Sequence, residues 1–261
     1  MADEAGVAPA DRADGDAQKH TPDQPARVPA HDPTALAQAL LVATRTGSDP
    51  APLLQALAAL TEDDLTAVRE DRRTALAFWC NCYNAGTQLL LERRRDVYES
   101  RLRGLRFFRL PCLTVAGTPR SLDDIEQGIL RASRSKYTLG YTPRLLVDSF
   151  EHRYALSRPD PRIHFALHCG AASCPAIRAY EPERVDEQLD LAAQTYLDAT
   201  VERAAGVVRV PRLMLWYRGD FGGTSGILAF LRRYDVLDPD ESPRIRYLGW
   251  DWSLARGTFV G

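Results

Sequence analysis

Lysine is almost missing from this 261-residue chain: only Lys19 and Lys136 occur, and arginine supplies nearly all of the 33 basic side chains. Against 35 acidic residues the formal charge is −2. No basic surplus exists to grip a nucleic-acid backbone or an acidic membrane surface, so neither partner is expected. The arginine bias, with aspartate outnumbering glutamate, reads as GC-rich coding, and no function rests on it. Cysteine is scarce and odd in number at five, which argues against a disulfide scaffold. Long apolar runs are also lacking: no stretch reaches the roughly 18 residues of a membrane span. The opening MADEAGVAPADRADGDAQK holds acids where a secretory signal needs a basic start and an apolar core. A cytoplasmic protein with reduced thiols is the expectation.

Residues 1–33 contain no aromatic residue and no isoleucine, too little apolar area to offset the entropy of ordering, and predict a disordered tail. The remainder, 34–261, is long enough for a hydrophobic core and is expected to form one globular domain. Leu36, Leu40, Leu41 and Ala43 fall at helical spacing, and the segment from Leu53 to Leu60 repeats the pattern after Asp49-Pro50. A longer helix is predicted over 72–95, with Phe78, Cys82, Ala85 and Leu89 on one apolar face and Asn81, Asn84 and Gln88 as an amide stripe. Short strands are expected around a turn at Ala116-Gly117, then a helix capped by Ser121. RIHFAL, residues 162–167, alternates polar and apolar residues and predicts a strand. An amphipathic helix follows over 185–200, then a strand at 207–210, a helix near 226–234 and a closing aromatic strand near 247–252. Helices outnumber strands without regular alternation, so the expected class is α+β: a helix-rich single domain with a small, mainly antiparallel sheet.

The reactive side chains concentrate in RIHFALHCGAASCP, residues 162–175. A strand through 162–167 would set His164 and His168 roughly 13 Å apart at about 3.3 Å per residue, too far to share one metal ion. No metal and no cofactor are therefore expected. A cysteine nucleophile served by a histidine base fits the residue types better. Pro175 would open a helix and leave Cys174 beside its N-cap, where the helix dipole favours thiolate. His164 is the preferred base, with His168 as the alternative. Glu126, Asn81 or Asn84 would orient the imidazole. Such a site leaves room for a small-molecule or peptide substrate. Against it stands a non-catalytic interaction or regulatory module, in which the same cysteines, histidines and amides form a satisfied buried network.

Three stretches carry a family resemblance. FWCNCYNA (78–85), SLDDIE (121–126) and DPRIHFAL (160–167) followed by Cys169-Gly170 and Ser173-Cys174-Pro175 are similar, in order, to the motifs of the DUF547 domain. The resemblance spans about 72–183 and leaves a C-terminal extension. It sharpens the site without supplying a reaction. Some family members carry fused glutaredoxin domains, which hints at thiol chemistry. One position departs: Gln127 stands where the family usually has histidine after the glutamate.

Farther along, WYRGDFG (216–222) lacks the pattern of a phosphate-binding loop, and Asp220 is expected to cap the following helix. Trp250 and Trp252 are expected either in a buried strand or along a substrate cleft. Arg93, Arg94 and Arg95 read as a solvated run at a helix C-terminus.

Overall fold

The computed structural model describes residues 31–100 and 103–260. All but the last three residues of the segment expected as a tail, 1–33, lie outside the described residues, and Pro33 already belongs to the first helix. Ten α-helices are described: α1 Pro33–Thr46, α2 Ala51–Ala59, α3 Thr66–Glu70, α4 Arg72–Arg93, α5 Arg95–Tyr98, α6 Arg103–Arg106, α7 Ser149–Tyr154, α8 Val185–Thr200, α9 Leu213–Trp216 and α10 Gly223–Arg233. Five strands complete them: β1 Pro111–Val115, β2 Thr118–Ser121, β3 Glu202–Ala204, β4 Val207–Val210 and β5 Arg244–Tyr247. β1 and β2 form an antiparallel hairpin, while β3 and β4 pair antiparallel and β4 and β5 parallel. The fold is α+β, helix-rich, with small and mainly antiparallel sheets.

Helix α4 is the axis of the larger hydrophobic cluster. Asp71 caps it by accepting the Thr74 N–H at 2.7 Å, and every residue from Ala75 to Leu91 is buried. A helix covered on all sides is a core helix rather than an amphipathic surface one. Its amide stripe is therefore interior, where each polar group needs a partner. α1 packs along it, and the 3-10 turn Pro161–Phe165 lies against α8. A second cluster gathers α8, β4 and α10 around Phe165, Met214, Ile227 and Leu231.

Three expectations for this region are corrected. Residues 161–165 form a 3-10 turn, not a strand: Asp160 accepts the Arg162 N–H at 3.0 Å and Pro161 takes the first helical position. The polar and apolar side chains alternate there without marking a wet face, because Arg162, His164 and His168 are buried along with Ile163 and Phe165. No helix opens at Pro175; residues 172–174 are turn and bend. The closing strand ends at Tyr247, ahead of Trp250 and Trp252. Helix α7 is capped by Asp148, which accepts the Glu151 N–H at 2.7 Å. Ser121 does cap as expected: its hydroxyl accepts the Asp124 N–H at 3.2 Å and the Asp124 carboxylate accepts the Ser121 N–H at 3.0 Å. The helix then widens into a π-helical stretch, Asp124–Leu130, a geometry common at functional sites.

Candidate functional site

The amides of α4 hold the reactive segment by its backbone. Asn84 donates to the Ala166 carbonyl at 3.0 Å and accepts the His168 N–H at 2.9 Å. Asn81 does the same for Tyr180, donating to its carbonyl at 2.8 Å and accepting its N–H at 2.9 Å. Both side chains are thus spent on main chain and neither orients an imidazole, contrary to the expectation for them. From the other side, the C-terminal residues strap the loop. Ala172 N–H donates to Ser253, Ala255 N–H to Gly170 and Ile177 N–H to Thr258, at 2.8–2.9 Å. Gly257, at φ +81°, passes so close to His168 that a Cβ there would sit 2.6 Å from the ring.

Within this frame the two histidines differ. His164 is buried, stacks on Tyr217 with ring centroids 3.8 Å apart, and places Nε2 at 2.9 Å from an Asp220 carboxylate oxygen. Asp220 also pairs through both oxygens with the buried guanidinium of Arg131. Burial pushes Asp220 up, but His164 and Arg131 outweigh it and hold it below the ordinary carboxylate range. Burial pushes His164 down, with Asp220 pulling the other way. An ionised carboxylate only accepts, so Nε2 carries the proton and Nδ1 is the basic nitrogen. Asp220, not Glu126 or an asparagine, orients the imidazole. The capping role expected of Asp220 is overturned as well, since Gly222 precedes α10 with no side-chain cap. Glu126 instead accepts the Tyr83 hydroxyl at 3.1 Å and bonds Tyr217. Gln127, at the position that departs from the family pattern, accepts from Arg131. Arg131 passed unnoticed in the sequence, and Tyr217 stood out only as part of 216–222; a buried arginine 89 positions from its acid leaves no local pattern.

His168 puts Nδ1 at 3.0 Å from the Pro175 carbonyl and Nε2 at 3.0 Å from the Ala255 carbonyl. The ring thus faces a backbone carbonyl from each of its nitrogens. Beside it, Cys174 Sγ accepts the Cys169 N–H at 3.1 Å and lies 2.9 Å from Cys169 Sγ. Burial pushes the Cys174 thiol up. The Cys169 thiol, the charge of His168 and the N–H groups of Cys169 and Ala171 outweigh burial and hold it at about 7. Thiolate is favoured here by a nest of donors rather than by the helix dipole expected for it. Cys169 keeps its proton, raised by its contact with Cys174 and by burial. Among the described hydrogen bonds none joins Cys174 to His164 or His168. With 161–165 helical, the strand spacing invoked against a metal no longer applies; among the described residues no three His, Cys, Asp or Glu side chains converge to hold one.

His164, Glu126, Gln127, Tyr83, Cys169 and Cys174 all line one cavity of about 300 Å³. Trp216, Trp250 and Trp252, packed against one another with centroids 5.2–5.9 Å apart, form part of its wall. The cleft placement of the C-terminal tryptophans is the one observed. A larger cavity, about 430 Å³, also reaches Cys174, but neither histidine lines it. Chemistry, not volume, singles out the smaller one.

A family model described as a protein of unknown function, DUF547, matches residues 68–197. The chain belongs to the DUF547 family. The matched span includes α4, the π-helical stretch, both histidines and both loop cysteines of this DUF547 chain. Asp220 and the three tryptophans fall outside it, so the cavity joins family residues to residues of the C-terminal extension. No curated protein and no solved structure matches the chain. No helix among the described residues is long and apolar enough to cross a membrane.

Proposed function

We propose that this DUF547 protein is a cysteine-nucleophile hydrolase or transferase acting on a carbonyl or thioester centre, with Cys174 as nucleophile and His164 as base. One observation carries the reading: Cys174 Sγ, accepting the Cys169 N–H, opens onto the same cavity as His164, whose ring Asp220 fixes. A thiolate already favoured by its neighbours needs no base to deprotonate it, so the missing Cys174–imidazole bond is no obstacle to attack. The sulfur adds to the carbonyl carbon, and the leaving group departs with a proton taken from water. A second water, or an acceptor nucleophile, then gives its proton to Nδ1 of His164, attacks the acyl carbon and releases Cys174 as thiolate. Asp220 stabilises the imidazolium formed in that step. The walls come from residues 83 to 252, which supports treating 34–261 as one unit. Reduced thiols are required, in keeping with the cytoplasmic setting expected from the sequence. The bland alternative retains the two asparagines, whose bonding is wholly structural.

The test is acylation by a panel of small aryl thioesters at neutral pH, read by peptide mass spectrometry. An acyl group on Cys174 that turns over in the wild type and accumulates in His164→Ala supports the reading. Label absent from Cys174, or spread evenly over the thiols, removes it.

A further inference from the structure

Cys169 gives the site a second chemistry. Its Sγ lies 2.9 Å from Cys174 Sγ, both thiols free, with the turn at Gly170 (φ +93°) folding the chain back between them. That separation is less than 1 Å beyond the roughly 2.05 Å of a disulfide bond. Cys80, Cys82 and Cys112 lie in the core instead, and Cys112 donates to the Arg120 carbonyl at 3.3 Å. Both loop sulfurs belong to residues that line the 300 Å³ cavity. That space admits a small peroxide.

We propose that Cys174 and Cys169 form a dithiol–disulfide couple that reduces a small hydroperoxide, Cys174 attacking and Cys169 resolving. The inference rests on the reading of Cys174 as the reactive thiolate. In the first step the Cys174 sulfur attacks the terminal peroxide oxygen. The O–O bond breaks, the alkoxide or hydroxide leaves and takes a proton from water, and Cys174 becomes a sulfenic acid. In the second step Cys169 sulfur attacks Cys174 sulfur, the S–O bond breaks, and hydroxide leaves as water with the Cys169 proton. Two thiols are oxidised, one peroxide is reduced to alcohol or water, and an external thiol restores the pair. The N–H of Cys169 holds the attacking sulfur beside its resolving partner throughout.

The experiment uses the reduced full-length chain with hydrogen peroxide, and with glutathione disulfide in a parallel arm. The expected product is lighter by two hydrogens, with Cys169 and Cys174 linked in the peptide map. Cys169→Ser should stop one oxygen heavier, as a sulfenic acid trapped by dimedone, and Cys174→Ser should consume peroxide roughly 100-fold more slowly. Wild-type protein that keeps both hydrogens, links other cysteines, or oxidises faster with glutathione disulfide than with peroxide overturns the proposal. So does Cys169→Ser trapping no more sulfenic acid than wild type. If a variant does not fold, the wild-type peptide map still decides. Thioester acylation of Cys174 in a wild type whose pair stays reduced under peroxide sinks the couple alone. Disulfide formation without acylation sinks the acyl-transfer reading alone.

Discussion

Helix α4 and the segment from His164 to Pro175 bury the same kinds of side chain to opposite effect. In α4, Cys80 and Cys82 sit in the middle of a covered helix, and burial pushes both thiols far above their ordinary range. In the loop, burial pushes Cys174 in the same direction, yet the Cys169 thiol, the neighbouring His168 and two N–H groups more than reverse it. A helix interior has already spent its N–H groups on its own carbonyls, whereas a turn leaves some free to point at a side chain. The surroundings, a second thiol and a histidine together with free N–H groups, separate Cys174 from the helix thiols. The same contrast holds for polar groups. Asn81 and Asn84 of α4 serve main chain, while His164 and Asp220 serve each other, His164 lining the cavity.

Four measurements test this contrast. The largest effect is expected from Asp220→Ala, which leaves the Arg131 guanidinium buried without its acid and should lower unfolding free energy by about 4 kcal/mol. A loss under about 1 kcal/mol in chemical denaturation would show the pair to be solvated after all. Next comes Asn84→Ala, which strands the Ala166 carbonyl and the His168 N–H and should cost about 3 kcal/mol. An unchanged denaturation midpoint would mean that the loop does not depend on α4 for its position.

Thiol reactivity addresses the contrast directly. Iodoacetamide should modify Cys174 about 100-fold faster than Cys80, Cys82 or Cys112 at neutral pH, with a rate midpoint at about 7. Equal rates, or modification only after unfolding, would erase the distinction between the two regions. The smallest effect is acid sensitivity at the wall. The His164 pKa is lowered by burial, so the unfolded chain takes up that proton first as pH falls below the ordinary histidine value near 6.5. Stability from this group is present above 6.5 and drains away below it, and Asp220, also lowered, adds a further loss below its ordinary 3.8. His164→Gln should flatten the first of these slopes in a series of denaturation curves; an unaltered slope would place the sensitivity elsewhere.

Much of this was legible in the chain. The α4 pattern, the Ser121 cap, the β1–β2 turn and the 185–200 helix all follow from local spacing and capping chemistry. Local rules act over a few residues, and those elements obey them. RIHFAL misled because alternation normally marks one wet and one dry face, and here both faces are dry. Asp160-Pro161 was the better signal, an N-cap followed by the residue that suits the first helical position.

By itself, then, the sequence determined the class, the family, the position of the core helix and the short segment in which the thiols and imidazoles lie. Only the tertiary structure decided how those groups are wired. Asp220 meets His164 across 56 positions and Arg131 across 89, while residues 251–258 reach back to clamp residues 170–177. Such partners are chosen by where the packed elements leave unsatisfied polar groups, and no periodicity records that. Cys174, the thiol held at about 7, is accordingly the one that a turn surrounds with donors.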